Sequence, residues 1–151
     1  MKMAATFSRI ISNPKRSGVY AITGATDELE RAANAMGLSI VKLDLGRARG
    51  KTGLLSLLAK TFEFPKYFGR NWDALHDFLT DLGWLNAKGW LVIITNGKSF
   101  ARRHNEHFET AIEVLRAAAE HWRSQGKPFW VLVQGENNWD GGLPKMPQSN
   151  S

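Results

Sequence analysis

Strand-length apolar runs alternate along this chain with stretches in which apolar residues recur every three or four positions. The runs are Gly18-Val-Tyr-Ala-Ile-Thr23, Ser39-Ile-Val-Lys-Leu-Asp-Leu45, Trp90-Leu-Val-Ile-Ile-Thr95 and Phe129-Trp-Val-Leu-Val133. Trp90–Thr95 is apolar until its last position, the pattern of a strand covered on both faces in a parallel sheet. Helical periodicity fills the intervals. A helix from about Thr26 has Leu29, Ala32, Ala33 and Met36 on one face, Asp27, Glu28 and Glu30 near its positive N-terminus, and Gly37 as its stop. A second, about 52–62, turns Leu54, Leu55, Leu58 and Phe62 inward, and the longest, about 105–125, carries Phe108, Ala111, Ile112, Leu115, Ala118 and Trp122. This alternation predicts a small α/β domain with a mainly parallel sheet of about four strands.

The connection between the second and third runs holds two helices joined by an aromatic loop. Pro65 ends the first of them, Gly69 supplies a turn, and Asn71 is a good N-cap for the second, about 71–82. Leu75, Phe78, Leu79 and Leu82 form its apolar face, which leaves Asp73, Asp77, Thr80 and Trp84 on the wet side. Residues 71–87 contain three acids, Asp73, Asp77 and Asp81, and neither Lys nor Arg. Asp73 and Asp77 repel each other one turn apart at a cost of roughly 0.2–0.5 kcal/mol. An uninterrupted acidic face beside Tyr67, Phe68 and Gly69 fits docking into a cationic pocket.

Composition sharpens this picture. A chain of 151 residues with 43% hydrophobic content has the size and apolar share of a single globular domain. No apolar run approaches a membrane span, and the scattered apolar residues of 1–16 do not read as a secretory leader. The chain lacks Cys, which excludes disulfide and thiolate chemistry and fits a reducing compartment, so a cytoplasmic location is expected. Residues 1–17 are expected to be loosely ordered, 18–135 to form the domain, and the polar, Gly- and Pro-rich 136–151 a flexible tail. The net charge of +6 makes nucleic acid a class of partner to weigh.

Other candidate chemistry is weaker. Gly46-Arg-Ala-Arg-Gly-Lys-Thr52 follows a strand and precedes a helix, but three residues separate its glycines where a phosphate-binding loop needs four. His104 and His107 have no identifiable third ligand to hold a metal, and His76 and His121 have no Ser or Cys to activate. No cofactor and no catalytic residue are expected. Trp72 and Trp84 flank the acidic face and are candidate contacts; the other tryptophans read as packing.

Pro65-Lys-Tyr-Phe-Gly-Arg-Asn-Trp-Asp-Ala-Leu-His-Asp-Phe-Leu-Thr80 resembles the signature of the barstar family, intracellular inhibitors of barnase-like ribonucleases: a Pro-x-aromatic-aromatic-Gly-x-Asn loop, then Asp-Ala-Leu-x-Asp on a helix. The order of elements from about 39 to 135 follows the family layout, and 18–38 is an additional strand–helix unit expected at an edge of the sheet. The resemblance implies a layered fold in which helices pack on a parallel sheet, and a non-catalytic inhibitor of immunity or antitoxin type from a bacterium, monomeric when free. It implies that the loop aromatic and the helix carboxylates enter the nuclease site, where basic groups otherwise hold RNA phosphate. Carried over by position, Tyr67, Asn71, Asp73, Asp77 and Thr80 are expected contacts, with Asp77 as anchor; Phe68, Gly69, Trp72, His76 and Trp84 complete the expected face.

The departures bear on the partner. His76 stands where the family's best-known member has tryptophan, and Arg70 where it has an acid. A further acidic contact on the long helix is replaced by Ala117 or His121, with Glu120 adjacent. The alternative is a basic RNA-binding domain without catalytic activity. Against it, Arg47, Arg49, Lys51, Arg102 and Arg103 are scattered among loops and helix starts, so no direct contact with nucleic acid is expected.

Overall fold

A run of six residues with a single polar end, Trp90–Thr95, requires cover on both sides, and the fold provides it. The computed structural model describes residues 2–66, 68–82 and 87–147. The elements are α1 (Lys2–Ile11), β1 (Val19–Ile22), α2 (Asp27–Ala35), β2 (Ser39–Asp44), α3 (Gly50–Thr61), α4 (Trp72–Leu79), β3 (Trp90–Thr95), α5 (Gly97–Arg103), α6 (Asn105–Ser124) and β4 (Phe129–Gln134). All four strands are parallel, in the order β1-β4-β3-β2, with Val19 opposite Val131, Trp90 opposite Phe129, and Ser39 opposite Trp90. The chain crosses the whole sheet from β1 to β2 and then steps back through β3 to β4. A right-handed rule for parallel crossovers therefore sends α2 to one face and α3–α6 to the other. The two cores agree: Leu91, Ile93, Trp130 and Leu132 pack with α1 and α2, while Val92, Ile94, Val131 and Val133 pack with α3–α6.

Three segments differ from the sequence expectation. The N-terminal segment is a helix, α1, packed on α2, with Ile10 and Ile11 buried and Phe7 half-buried beside them. The spacing of Phe7, Ile10 and Ile11 is one helical stripe, and the buried Trp130 indole donates to the Ile11 carbonyl at 2.9 Å. The segment expected as a flexible tail is tied down as far as Pro147. Ala21 donates to the Pro144 carbonyl at 2.7 Å and accepts from Met146 at 3.1 Å, so 144–146 runs along the outer side of β1. Leu143 and Met146 are buried there, and the Trp139 ring lies 5.6 Å from Phe108. Finally, Asn96 and Gly97 do more than close β3: Asn96 takes a left-handed conformation (φ 58°) and starts α5, which buries Phe100 and Ala101.

Candidate protein-binding site

Helix α4 is short, and its neighbours hold it. The Asn71 side chain accepts from the Ala74 N–H at 2.8 Å, the cap read from the sequence, and satisfies one of the open donors of the first turn. Leu75 and Leu79 are fully buried, as is Leu82 just beyond the helix. At the C-terminal end the Trp122 indole of α6 donates to the Leu79 carbonyl at 2.8 Å, filling an acceptor that the helix itself leaves open. Cap, buried leucines and indole together fix the angle at which the opposite face meets solvent.

That face carries the predicted carboxylates. Asp73, His76 and Asp77 are exposed, and Thr80 is half-buried with its hydroxyl turned back to the His76 and Asp77 carbonyls at 2.9 and 3.2 Å. The Asp77 side chain is 82% exposed, and its nearest basic group is His76 Nδ1 at 3.8 Å. Among the described residues no Lys or Arg forms an ion pair with Asp73 or Asp77. Both acids face solvent, and among the described residues no arginine neutralises them. Held one turn apart on a rigid helix, they can accept hydrogen bonds from a cationic surface at the cost of no more than the exposed His76 contact.

The preceding loop divides between display and packing. Gly69, Arg70 and Asn71 are exposed, Arg70 in a left-handed conformation (φ 50°). Phe68 is half-buried, its ring 4.9 Å from Phe64 and 5.5 Å from Phe78, so much of its surface is spent on the core. Trp72 is also half-buried, between Lys51, whose Nζ lies 6.0 Å from its ring, and His107 at 6.4 Å. Tyr67 and Trp84, both expected at this face, lie outside the described residues. On α6, His121 is half-buried with its ring 5.0 Å from Trp122, Ala117 is half-buried, and Glu120 is exposed. Sequence reasoning took Trp122 as core only. Its bond to α4 depends on how two helices cross, which no local pattern records. A cavity of about 810 Å³ lined by Phe7, Ile22, Trp139 and Met146 holds none of the predicted contacts. Among the described residues no group of acids and histidines is arranged to hold a metal ion.

Residues 38–134, well over half of the chain, match the family described as Barstar (barnase inhibitor). The chain belongs to the barstar family. The match begins immediately before β2 and ends with β4, so the barstar domain comprises β2 to β4 with α3–α6, and α4 lies within it. The family is one of inhibitors and not of catalysts. β1 and α2 lie outside the match, and β1 extends the barstar sheet by one edge strand beside β4.

No curated protein sequence matches the chain. Among solved structures, the Aeropyrum pernix ORC2 protein in its ADP form is similar at TM-score 0.62 and 18% identity, over 91% of this chain and 40% of that one. The ADPNP–ADP complexes of the same protein give TM-score 0.62 and 18% identity, over 90% and 41%. Cdc6p from Pyrobaculum aerophilum follows at 0.47 and 12%, over 91% and 38%. The chain thus spans about two-fifths of the length of these proteins, and at such identity the ORC2 likeness is one of fold.

Proposed function

We propose that this protein inhibits a barnase-like ribonuclease by covering its active site with the acidic face of α4 and the loop before it. The observation that carries the reading is the exposure of Asp73 and Asp77, with no Lys or Arg ion-paired to either among the described residues, on a capped helix within a barstar domain. Two carboxylates one turn apart imitate successive phosphates, and a nuclease site built from cationic groups to hold RNA would take them in the same way. Asp77 is the anchor; Asp73, His76, Thr80 and Asn71 flank it, and Gly69 allows close approach of the loop. Tyr67 is proposed as a further contact from the family pattern, and Trp84 from its place in the sequence beside the acidic face. The inhibitor acts as a monomer in the cytoplasm against a nuclease of secreted or toxin type.

The experiment is a pull-down with immobilised protein, assayed for loss of ribonuclease activity from the supernatant. Depletion by the parent protein, absent with Asp73→Asn/Asp77→Asn, is the expected result. Equal depletion by both proteins rejects the assignment of the face.

A further inference from the structure

In the linear sequence Arg47, Arg49 and Lys51 lie on one connection and Lys98, Arg102 and Arg103 on another; the fold brings them together. α5 packs against the turn Leu45–Arg47, and Asn96, which starts α5, donates from Nδ2 to Asp44 Oδ1 at 2.7 Å just ahead of that turn. Rings close the other side. Lys51 stands over Trp72, Trp72 lies 6.4 Å from His107, His107 6.2 Å from His104, and His104 5.2 Å from Phe100 of α5. Six cations thus surround the C-terminal ends of β2 and β3, with Lys98 half-buried and the other five exposed. Among the described residues none of the six forms an ion pair. The acids on the adjoining segments are Asp44, engaged by Asn96 and the Gly46 N–H, Asp73 beside Trp72, the exposed Glu106 and Glu109 of α6, and Glu136 beside the Asn137 carbonyl that accepts from Lys98 Nζ at 3.4 Å. The six cations outnumber these five acids.

We propose that this surface binds single-stranded RNA, the arginines and lysines on its phosphates and the rings of Trp72, His104 and His107 beneath its bases. Guanidinium and ammonium groups free of ion pairs among the described residues, around the half-buried rings of Trp72, His104 and His107, suit a flexible polyanion with stacking faces. A barnase-like nuclease does not fit here, since a cationic RNA site would be repelled by these six charges and drawn instead to α4. Because Trp72 adjoins Asp73, RNA and nuclease would occupy neighbouring surfaces of one inhibitor. The inference goes beyond the inhibitor reading and can fail without it.

The test is fluorescence anisotropy of a labelled oligouridylate of about 12 nucleotides, titrated with full-length protein at two salt concentrations. With about four phosphates neutralised, affinity falls about 50-fold between 50 and 200 mM salt. Arg47→Gln/Arg49→Gln and Arg102→Gln/Arg103→Gln each weaken binding by about tenfold or more and flatten the salt slope by about 0.7 per lost contact. Lys60→Gln/Lys88→Gln, at the opposite end of the sheet, leaves binding within about twofold. The four single arginine variants are measured as well, so that a pair that does not fold leaves the question answerable. Absence of binding at the lower salt, equal weakening by the Lys60/Lys88 variant, or equal competition by poly-glutamate (an acidic protein partner) would each overturn the proposal. Nuclease inhibition by Asp73→Asn/Asp77→Asn is scored separately and is untouched by any of these results.

Discussion

Replacing Asp77 by Asn separates the role of this carboxylate in folding from its role in binding. In the free protein the side chain is 82% exposed, and among the described residues the one basic group ion-paired with it is His76 at 3.8 Å. An exposed contact of that kind contributes about 0–1 kcal/mol even when the imidazole is charged. Against it stands the repulsion of Asp73 one turn away, about 0.2–0.5 kcal/mol, which the substitution relieves. The two oppose each other, so stability changes by less than about 1 kcal/mol in either direction, a shift in Tm within about 4 °C for a chain of this length. In the complex the same carboxylate is desolvated opposite cationic groups, and removing one member of such a pair costs about 2–5 kcal/mol. That range draws in part on the barnase–barstar complex itself and is carried over to this chain, not calculated from its structure. It corresponds to a loss of about 30-fold to several thousand-fold in the inhibition constant. The assay pairs scanning calorimetry with cleavage of a fluorogenic RNA by the nuclease recovered in the pull-down. An unchanged inhibition constant refutes the placement of Asp77 at the interface. A fall in Tm of more than about 5 °C refutes the claim that its charge is idle in the fold.

Three further outcomes follow from the geometry. Trp122→Phe keeps a ring in place but removes the donor to Leu79, so stability falls by about 1 kcal/mol in denaturant titration and inhibition weakens with it; full inhibition by the variant would show that the indole does not position α4. Gly89→Ala would place a Cβ 2.6 Å from Pro128 Cγ and 2.7 Å from its carbonyl oxygen, and overpacking at this point costs about 1–3 kcal/mol, read as a lower midpoint in urea. Asp44 is held below the usual carboxylate range first by the Asn96 side chain and then by the Gly46 N–H. A depressed native value gives stability that is present above the ordinary aspartate pKa and lost as pH falls through the native one. Asn96→Gly, which keeps the left-handed backbone, should therefore destabilise at neutral pH, with the difference shrinking as the solution is acidified. A pH-independent difference would exclude Asp44 as its source.

The sheet and the helix face were legible because each rests on local physics. Trp90–Thr95 has no reading except a strand with two covered faces, and Asn71 with Leu75 and Leu79 dictates both the start and the orientation of α4. α1 was hidden because its stripe, Phe7, Ile10 and Ile11, is too short to stand alone and is fixed by α2 and Trp130. The same holds for 135–147, whose composition is that of a loop and whose order comes from the open side of β1. Phe68 was expected to be displayed, yet Phe64 and Phe78 draw it half inward, a choice made by how the loop folds between the two helices. The clustering of the arginines was equally out of reach, since it depends on α5 meeting the turn after β2.

The pairing of Ala21 with Pro144 and Met146 has a consequence for handling the protein. A strand at the margin of a sheet is a template for any other extended peptide, and here the chain itself occupies that template. Cleavage ahead of Leu143 would free those backbone groups and uncover the margins of both cores, one now under Leu143 and the other under Met146. A nicked preparation should therefore self-associate through β1 long before its α4 surface loses shape, and turbidity would report the damage earlier than any change in inhibition.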